Sequence, residues 1–434
     1  MCNVKQSVLS LLCSIGIAAL VQALAHGAAL PSESAQWRLW LDVTSAHDTT
    51  TPALLLPASK PAAPDAAWLE RWGRQSPAIA WNDTVIDLIV KYQQNPLRAT
   101  RAMALMHAAM HDALVLCARE QCSETAARIA LHASAGRMLR HLYPQESPGR
   151  FDALALSAAH ATVTAMPPDG NIQTGWRLGH AAARAAIGRA IDDGADLSRD
   201  LSARPGQRPG IWRSAPPMNI HDPAEPRAGE WRPWALKRGA DIEPPPPIAY
   251  DSPTYWAEVD EVRRTAAALT PQQKKMAEDW NLDLGTITPA GVWNRHARRI
   301  ALERKVDVAE TTRLYATLNI AMMDAFIVCW HTKMKWWTQR PITAIRDKFD
   351  VNFLPHVVTP PYPGYVSGHA CASGAASVVL ATFFPDQAEQ FKRDADEAAA
   401  SRLYGGIHFT SDNSEGLNLG RRVGARVAMR LQQK

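Results

Sequence analysis

Apolar residues recur at spacings of three and four along most of this chain, a pattern typical of amphipathic helices. From about residue 80 to 195 the stretches are rich in alanine, and Met103, Met106, Met110 and Leu114 mark one helical face. Helical periodicity returns near Tyr255 and continues to the end. Alternation of apolar and polar residues nowhere runs long enough for a sheet. We therefore predict an all-α protein.

Composition changes sharply between residues 196 and 255, where proline and glycine interrupt any regular element. Three tryptophans in this segment are expected to pack against other elements. The prediction is two helical bundles joined by a long proline-rich irregular segment. Its parts are a signal peptide at 1–25, an irregular N-terminal segment at 26–80, a helical bundle at 81–195, the connecting segment at 196–255 and a second bundle at 256–434.

The first residues have the pattern of an export signal. Lys5 supplies a positive start, Val8 to Leu24 is almost wholly apolar, and Ala23-Leu24-Ala25 offers a small-x-small cleavage site. The alternative is an N-terminal membrane anchor, but the run is short for one, and no later stretch reaches the ~20 apolar residues that a span needs. We expect an exported protein, periplasmic or secreted, with no stable membrane span after signal removal.

Net charge bears on the class of binding partner, and the cysteines bear on possible disulfide bonds. The formal net charge of +5 is small for 434 residues, and no block of lysine and arginine is present, so we expect no nucleic-acid partner. Four cysteines lie beyond the predicted signal peptide. Cys117 and Cys122 could close a small disulfide loop, whereas Cys329, in an apolar helical run, is more simply a core residue. Spacing alone leaves these pairings open.

The chemistry begins on a helix with a buried face. Lys333 lies three, four and seven residues beyond Trp330, Cys329 and Phe326, on or near that apolar face. A buried ammonium is costly unless an anion meets it, although a lysine at a helix end can also extend to solvent. Seven residues later, Arg340-Pro341 places a guanidinium beside a helix stop.

Two further stretches supply oxyanion donors and histidines. Ser367-Gly368-His369 precedes a long run of small apolar residues, which predicts a tight turn opening a helix whose backbone N–H groups cradle an anion. In the last stretch, Asp412 follows His408 by four residues and can accept from one ring nitrogen, leaving the other as ligand or nucleophile. Arg402 lies six residues before His408.

Taken together, these stretches supply three cations, oxyanion donors, an acid–base histidine and a second, oriented histidine. That inventory predicts a site for a tetrahedral or trigonal-bipyramidal oxyanion. The ordered set resembles the signature shared by the vanadium-dependent haloperoxidases and the type-2 phosphatidic acid phosphatase superfamily, which includes bacterial acid phosphatases. Val366 departs from that signature, because the superfamily usually has proline before Ser-Gly-His.

Features outside the shared signature are similar to the haloperoxidase branch. These are Trp280-Asn281, the stretch Thr288 to Asn294, Asp324-Ala325 and Trp330 on the lysine helix, and Tyr362-Pro363-x-Tyr365. The resemblance spans roughly residues 80 to 430. It implies vanadate as the cofactor, or phosphate in the same pocket, with hydrogen peroxide, a halide and a small organic acceptor as partners. A homodimer is possible.

The resemblance also implies a role for each site residue. His408 would bind vanadium, with Asp412 orienting it, and His369 would deprotonate incoming peroxide. Lys333 would polarise the bound peroxide. The residues that would hold the oxygens of the anion are Lys333, Arg340, Ser367, Gly368 and Arg402. Trp330 and Tyr362 would flank the halide.

Two departures bear on the activity. Fungal-type enzymes carry a carboxylate where this chain has Asn281, and Asp283 is the candidate substitute. Tyr362 stands where chlorinating enzymes often carry phenylalanine. The alternative function uses the same residues: in an exported acid phosphatase His408 would attack phosphorus to give a phospho-histidine, while His369 would protonate the leaving group.

Overall fold

The computed structural model describes residues 30–43, 51, 53–56, 66–166, 171–196 and 204–431. The predicted signal peptide at 1–25 lies outside the described residues. The prediction of an all-α protein is confirmed: helices dominate the described ranges, which contain no β-strand, and an isolated bridge pairs Ile211 with Thr338.

The described residues contain thirteen α-helices of eight or more residues. A single helical turn at Ala66–Leu69 precedes them and continues into a π-helical turn. In chain order they are α1 (Pro77–Lys91), α2 (Pro96–Arg119), α3 (Glu124–Leu142), α4 (Arg150–Ala165), α5 (Ile172–Asp192), α6 (Pro253–Ala267), α7 (Pro271–Asp279), α8 (Thr288–Glu303), α9 (Val308–Trp336), α10 (Pro341–Lys348), α11 (Gly368–Phe383), α12 (Ala388–Tyr404) and α13 (Thr410–Leu431).

The chain forms two compact units built from discontinuous stretches. Of the described residues, the first unit contains those within 1–80, 109–185 and 307–312, and the second those within 81–108, 186–306 and 313–434. In the first unit small residues let helices approach closely: a Cβ added at Gly175 of α5 would lie 2.0 Å from the Ala126 carbonyl oxygen of α3. The bundle boundaries inferred from composition stay predictions.

His132 is a buried titratable group in the core of the first unit. Its Nε2 lies 3.1 Å from the Thr162 hydroxyl, and burial, aided by Arg128, lowers its pKa from an ordinary 6.5 to about 3. Between these values the folded protein binds fewer protons than the unfolded chain. The stability contributed by neutral His132 is therefore complete above pH 6.5 and is lost as the pH falls toward 3.

We expect the free energy of unfolding to fall on acidification, with His132 contributing about 1.4 kcal/mol per pH unit within that window. His132→Gln should remove that part of the slope, because a glutamine amide can meet Thr162 without titrating. Urea unfolding of both proteins from pH 7.5 to 4.5 measures the two slopes. Equal slopes would contradict a neutral, buried His132.

In the second unit α11 packs along α13, and glycines make the approach possible. A Cβ added at Gly420 of α13 would lie 2.1 Å from the Cys371 carbonyl oxygen, and one at Gly416 would lie 2.8 Å from the Ser367 carbonyl oxygen. These two helices carry Ser367, Gly368, His369 and Asp412 at their N-terminal ends.

We expect Gly420→Ala to destabilise the protein by about 3 kcal/mol, because a backbone carbonyl rather than a flexible side chain must move. Gly188→Ala is the matched control: it is also helical, on α5, and an added Cβ there meets nothing within 4 Å, so it should stabilise by up to ~1 kcal/mol. Thermal unfolding compares them. Equal melting temperatures for the two variants would show that the α11–α13 contact is looser than described.

The proline-rich segment is tied to helix α9 by hydrogen bonds. Asp324 of α9 accepts the backbone N–H groups of Trp234, at 2.7 Å, and Ala235, at 2.8 Å. Farther along α9, Trp330 Nε1 donates to the Ala224 carbonyl oxygen at 3.1 Å. Trp212 is buried, as the sequence predicts for an anchoring residue. Residues 224–235 of the segment are therefore held against α9.

Helix α9 is long and apolar enough to cross a membrane by length and composition, which sequence inspection did not anticipate. Its most apolar window has a mean hydropathy of 1.2 and is 94% buried inside the protein. Cys329, near its end, is fully buried, as expected of a core residue. Cys117 and Cys122 are also buried, and their side chains contact each other.

Candidate oxyanion site

Lys333 lies in the last turn of α9 and is fully buried. Its Nζ donates to the carbonyl oxygens of Pro363, at 2.8 Å, and Gly364, at 2.7 Å, and lies 5.2 Å from the centre of the Tyr362 ring. Burial lowers its pKa to about 8. No carboxylate pairs with it among the described residues, so this ammonium is held by carbonyl dipoles and an aromatic face.

Arg340 occupies the N-cap position of α10, where Pro341 starts the helix. Its Nε donates to the Tyr362 carbonyl oxygen at 2.9 Å, and its Nη1 to the Ile407 carbonyl oxygen at 2.8 Å and to His408 Nε2 at 2.9 Å. Nη2 is buried and has no hydrogen-bond partner. The guanidinium therefore has one unpaired N–H donor group, Nη2, beside His408.

His408 and Asp412 form the predicted pair. His408 Nδ1 lies 2.9 Å from Asp412 Oδ2, which also accepts the Phe409 N–H at 3.2 Å. Burial, and then Arg340 and Lys333, hold the pKa of His408 well below its ordinary value, so the ring is neutral. Its proton lies on Nδ1, facing Asp412, and Nε2 keeps a lone pair. Burial raises the pKa of Asp412 to about 7, opposed by Lys333 and Arg340.

The start of α11 brings Ser367, Gly368 and His369 to the same region. Ser367 caps the helix, its hydroxyl accepting the Ala370 N–H at 3.5 Å. His369 follows in the first turn, and its Nε2 is buried without a partner. Burial and Arg402 hold its pKa well below the ordinary value, opposed by backbone hydrogen bonds at Trp280 and Asn281. His369 is therefore neutral and able to accept a proton.

Arg402 lies near the end of α12 and is 1% exposed. Its Nε donates to the Ser401 hydroxyl at 3.1 Å, and its Nη2 to the Ala277 carbonyl oxygen at 3.3 Å. Burial lowers its pKa to about 10. With Lys333 and Arg340 it makes a third buried cation.

A cavity of about 280 Å³ lies beside these residues, and some of them line it. Of the predicted site residues, its wall contains Tyr362, Gly368, His369, Arg402 and His408. Lys333, Arg340, Ser367 and Trp330 are not among its lining residues, and Arg340 reaches the cavity region through its contact with His408.

The two aromatic residues predicted beside a halide have different positions. Tyr362 lines the cavity, whereas Trp330 is 1% exposed and lies behind it, with ring centres 4.9 Å apart. The Arg340 guanidinium lies 4.9 Å from the centre of the Tyr362 ring. Tyr362 is therefore the aromatic side chain that faces both the cavity and the site cations.

Other wall residues were not identified from the sequence. Met218, Ile220, Pro223 and Ala224 come from the proline-rich segment, and Asn95 precedes α2. Met218 and Ile220 are two apolar residues in an otherwise polar, proline-rich stretch, which is the one signal that could have indicated them. Asn281 and Asp283, noted from the sequence as a departure and a candidate substitute, both line the cavity.

The residues present fit a bound oxyanion. The described part of the site contains three buried cations but a single buried carboxylate, Asp412. In addition, Arg340 Nη2 and His369 Nε2 are buried and have no hydrogen-bond partner. Such groups are costly unless a ligand of opposite charge meets them. His408 Nε2, free of its own proton, can bind an electrophilic centre once Arg340 turns toward the anion.

Comparisons with known proteins find similarity to vanadium haloperoxidases. A family model described as the VCPO second helical-bundle domain matches residues 313–392 and 387–434. The vanadium chloroperoxidase of Curvularia inaequalis is 26% identical over a match that covers 36% of this chain and 32% of that protein. The chain thus spans about a third of the length of this curated relative.

Solved structures extend the likeness over most of the chain. A bacterial vanadium-dependent iodoperoxidase superimposes with a TM-score of 0.67 and 26% identity, covering 81% of this chain and 95% of that one. A bacterial vanadium-dependent chloroperoxidase in its apo form gives a TM-score of 0.63 at 15% identity, covering 78% and 95%, which shows the shared fold. Over the C-terminal match and over most of the fold, the chain is similar to vanadium-dependent haloperoxidases.

Proposed function

We propose that this protein oxidises halide ions with hydrogen peroxide at a vanadate bound to His408. The observation that carries the proposal is the neutral His408. Its Nδ1 faces Asp412 at 2.9 Å, and its Nε2 lies 2.9 Å from Arg340 Nη1, beside the buried and unpartnered Arg340 Nη2. The net reaction converts peroxide, halide and a proton into hypohalous acid and water. The likeness to vanadium haloperoxidases supports the choice of oxyanion.

Each residue around the anion would have its own role in binding or activating it. Bound vanadate supplies a Lewis-acidic oxide that activates peroxide without changing its own oxidation state. Arg340, Arg402 and Lys333 would balance the charge of the anion in a buried pocket, where electrostatic interactions are strong. The N-terminal end of α11 would add the positive end of its dipole. Asp412 would keep the His408 proton on Nδ1.

His369 would handle the proton of incoming peroxide. Its pKa lies well below 6.5, so its ring is neutral at pH 7, and its Nε2 has no partner in the protein. It lies on the cavity wall with Asp283. The apolar side chains of Met218 and Ile220 on the same wall suit a small organic acceptor for the oxidised halogen.

We further propose that the protein is exported and works outside the cytoplasm, as the sequence at 1–25 indicates. Hydrogen peroxide, a halide and a small organic acceptor would be its partners. A periplasmic or secreted site of action is compatible with a reaction whose product is a reactive hypohalous acid.

The test divides purified protein into two portions. One is loaded with orthovanadate and given hydrogen peroxide, iodide, bromide or chloride in turn, and a dye that records halogenation. The other, free of vanadate, is given p-nitrophenyl phosphate. Vanadate-dependent halogenation with feeble phosphate release supports the proposal. Fast phosphate release that vanadate inhibits, without halogenation, would make the protein an acid phosphatase and overturn it.

A further inference from the structure

A second, larger cavity lies in the same unit as the oxyanion site but shares no described lining residue with it. Its volume is about 490 Å³, within the size range of small-molecule sites. His408 lines the first cavity and Asp412 the second, so the hydrogen-bonded pair separates them. The proposed reaction uses none of the other residues of this second cavity.

Aromatic rings form much of the wall of the second cavity. They are Tyr250, Tyr255, Trp336, Tyr365 and Phe409. The Tyr250 and Tyr255 ring centres are 5.3 Å apart, and those of Tyr255 and Phe409 are 5.8 Å apart. Clusters of aromatic faces attract organic cations, because the ring quadrupole presents its negative side.

The polar groups of this cavity are mainly acceptors. The Gln339 side chain is 1% exposed and its amide nitrogen donates to the Tyr255 hydroxyl, while its oxygen is buried without a partner. Glu258 accepts the Ser411 N–H at 2.8 Å and the Ser411 hydroxyl at 2.6 Å, yet burial still raises its pKa. Both observations indicate that a charged donor is missing beside Gln339 and Glu258.

Charge at the cavity favours a cation over an anion. Glu258 and Asp412 are both on the wall, whereas Arg208, the one cation among the described lining residues, is exposed to solvent. An ammonium group could meet the Gln339 oxygen and Glu258 while its hydrocarbon part contacts the rings. The Gln339 oxygen and the Glu258 carboxylate would repel the negative charge of a bound carboxylate.

We propose that the second cavity binds a small organic ammonium ion carrying an aromatic or apolar group. The ammonium lies against the Gln339 side-chain oxygen and the Glu258 carboxylate, and the apolar part lies between Tyr250, Tyr255 and Phe409. The inference does not depend on the proposed function, since the cavity is distinct from the oxyanion cavity.

Three probes of one size test the inference by isothermal titration at pH 7: 2-phenylethylamine, 2-phenylethanol and phenylacetate. We expect the amine to bind at least ~10-fold more tightly than the alcohol, because a charge-assisted hydrogen bond exceeds a neutral one, and phenylacetate not to bind. Equal affinities for amine and alcohol, or no binding of the amine, would overturn the proposal.

Two variants locate the binding. Glu258→Gln should weaken the amine at least ~10-fold and leave the alcohol unchanged, since glutamine removes the charge, keeps the shape of the side chain and still accepts the Ser411 N–H. Tyr362→Phe, on the wall of the oxyanion cavity, is the matched control and should leave amine affinity unchanged. Loss of amine binding in Tyr362→Phe, with none in Glu258→Gln, would place the amine in the oxyanion cavity and contradict the proposal.

Discussion

His408→Ala is expected to abolish halide oxidation, with a loss of ~10³-fold or more in kcat/KM. The variant removes the one neutral nitrogen that faces Arg340 at 2.9 Å, and with it the bond that would hold the anion in place. It also leaves the buried Asp412 carboxylate without its ring partner. Kinetics with peroxide and bromide measure the effect, and far-UV circular dichroism checks that the helices persist.

The control for His408→Ala is His356→Ala. His356 is exposed and lies 3.0 Å from the Glu278 carboxylate, outside the lining of the oxyanion cavity, so its loss should change the rate less than about two-fold. Orthovanadate titration separates binding from chemistry: the His408 variant should also lose most of its affinity for the anion. Full activity in a folded His408→Ala protein would remove the whole site assignment.

Lys333→Met has the second largest expected effect. Methionine keeps the buried stem and removes the ammonium, so we expect kcat/KM for halide to fall by about 10²- to 10³-fold. The free energy of unfolding should change much less, because the variant also removes a buried charge whose pKa burial already lowers to about 8. A large loss of rate without a matching loss of stability is what distinguishes a functional lysine from a structural one.

Lys335→Met is the matched control, two residues further along α9. Lys335 is exposed at the surface and pairs with Glu243 at 2.7 Å, so its replacement should leave the rate within a few-fold of the original. Kinetics and urea unfolding are measured on both variants in parallel. An active Lys333→Met beside an inactive Lys335→Met would reassign the contact to Lys335.

Local sequence rules predicted the parts of the site that short-range geometry determines. A spacing of four residues is enough to bring Asp412 to His408, because the chain enters α13 at Thr410. Ser367 caps α11, since a serine before a run of helix-forming residues satisfies a free backbone N–H group. Pro341 starts α10 for the same local reason, and Arg340 is fixed beside it.

The rest depends on contacts that spacing cannot show. Met218 and Ile220 reach the cavity wall because Asp324 and Trp330 of α9 bind the proline-rich segment from about 90 to 106 positions away in the sequence. The resemblance read from the sequence predicted that both Trp330 and Tyr362 would flank the halide. It did not show that, of the two, only Tyr362 lines the cavity. The second cavity also joins the proline-rich segment to α6 and α13.

The most direct test of the account is a crystal structure of the protein soaked in orthovanadate, with anomalous scattering used to locate vanadium. We predict one vanadium peak within bonding distance of His408 Nε2, with Arg340 turned from that nitrogen toward the anion oxygens and Arg402 beside them. A peak elsewhere, or a protein that binds no vanadium while Arg340 keeps its hydrogen bond to His408, would contradict the oxyanion site from which the proposed function follows.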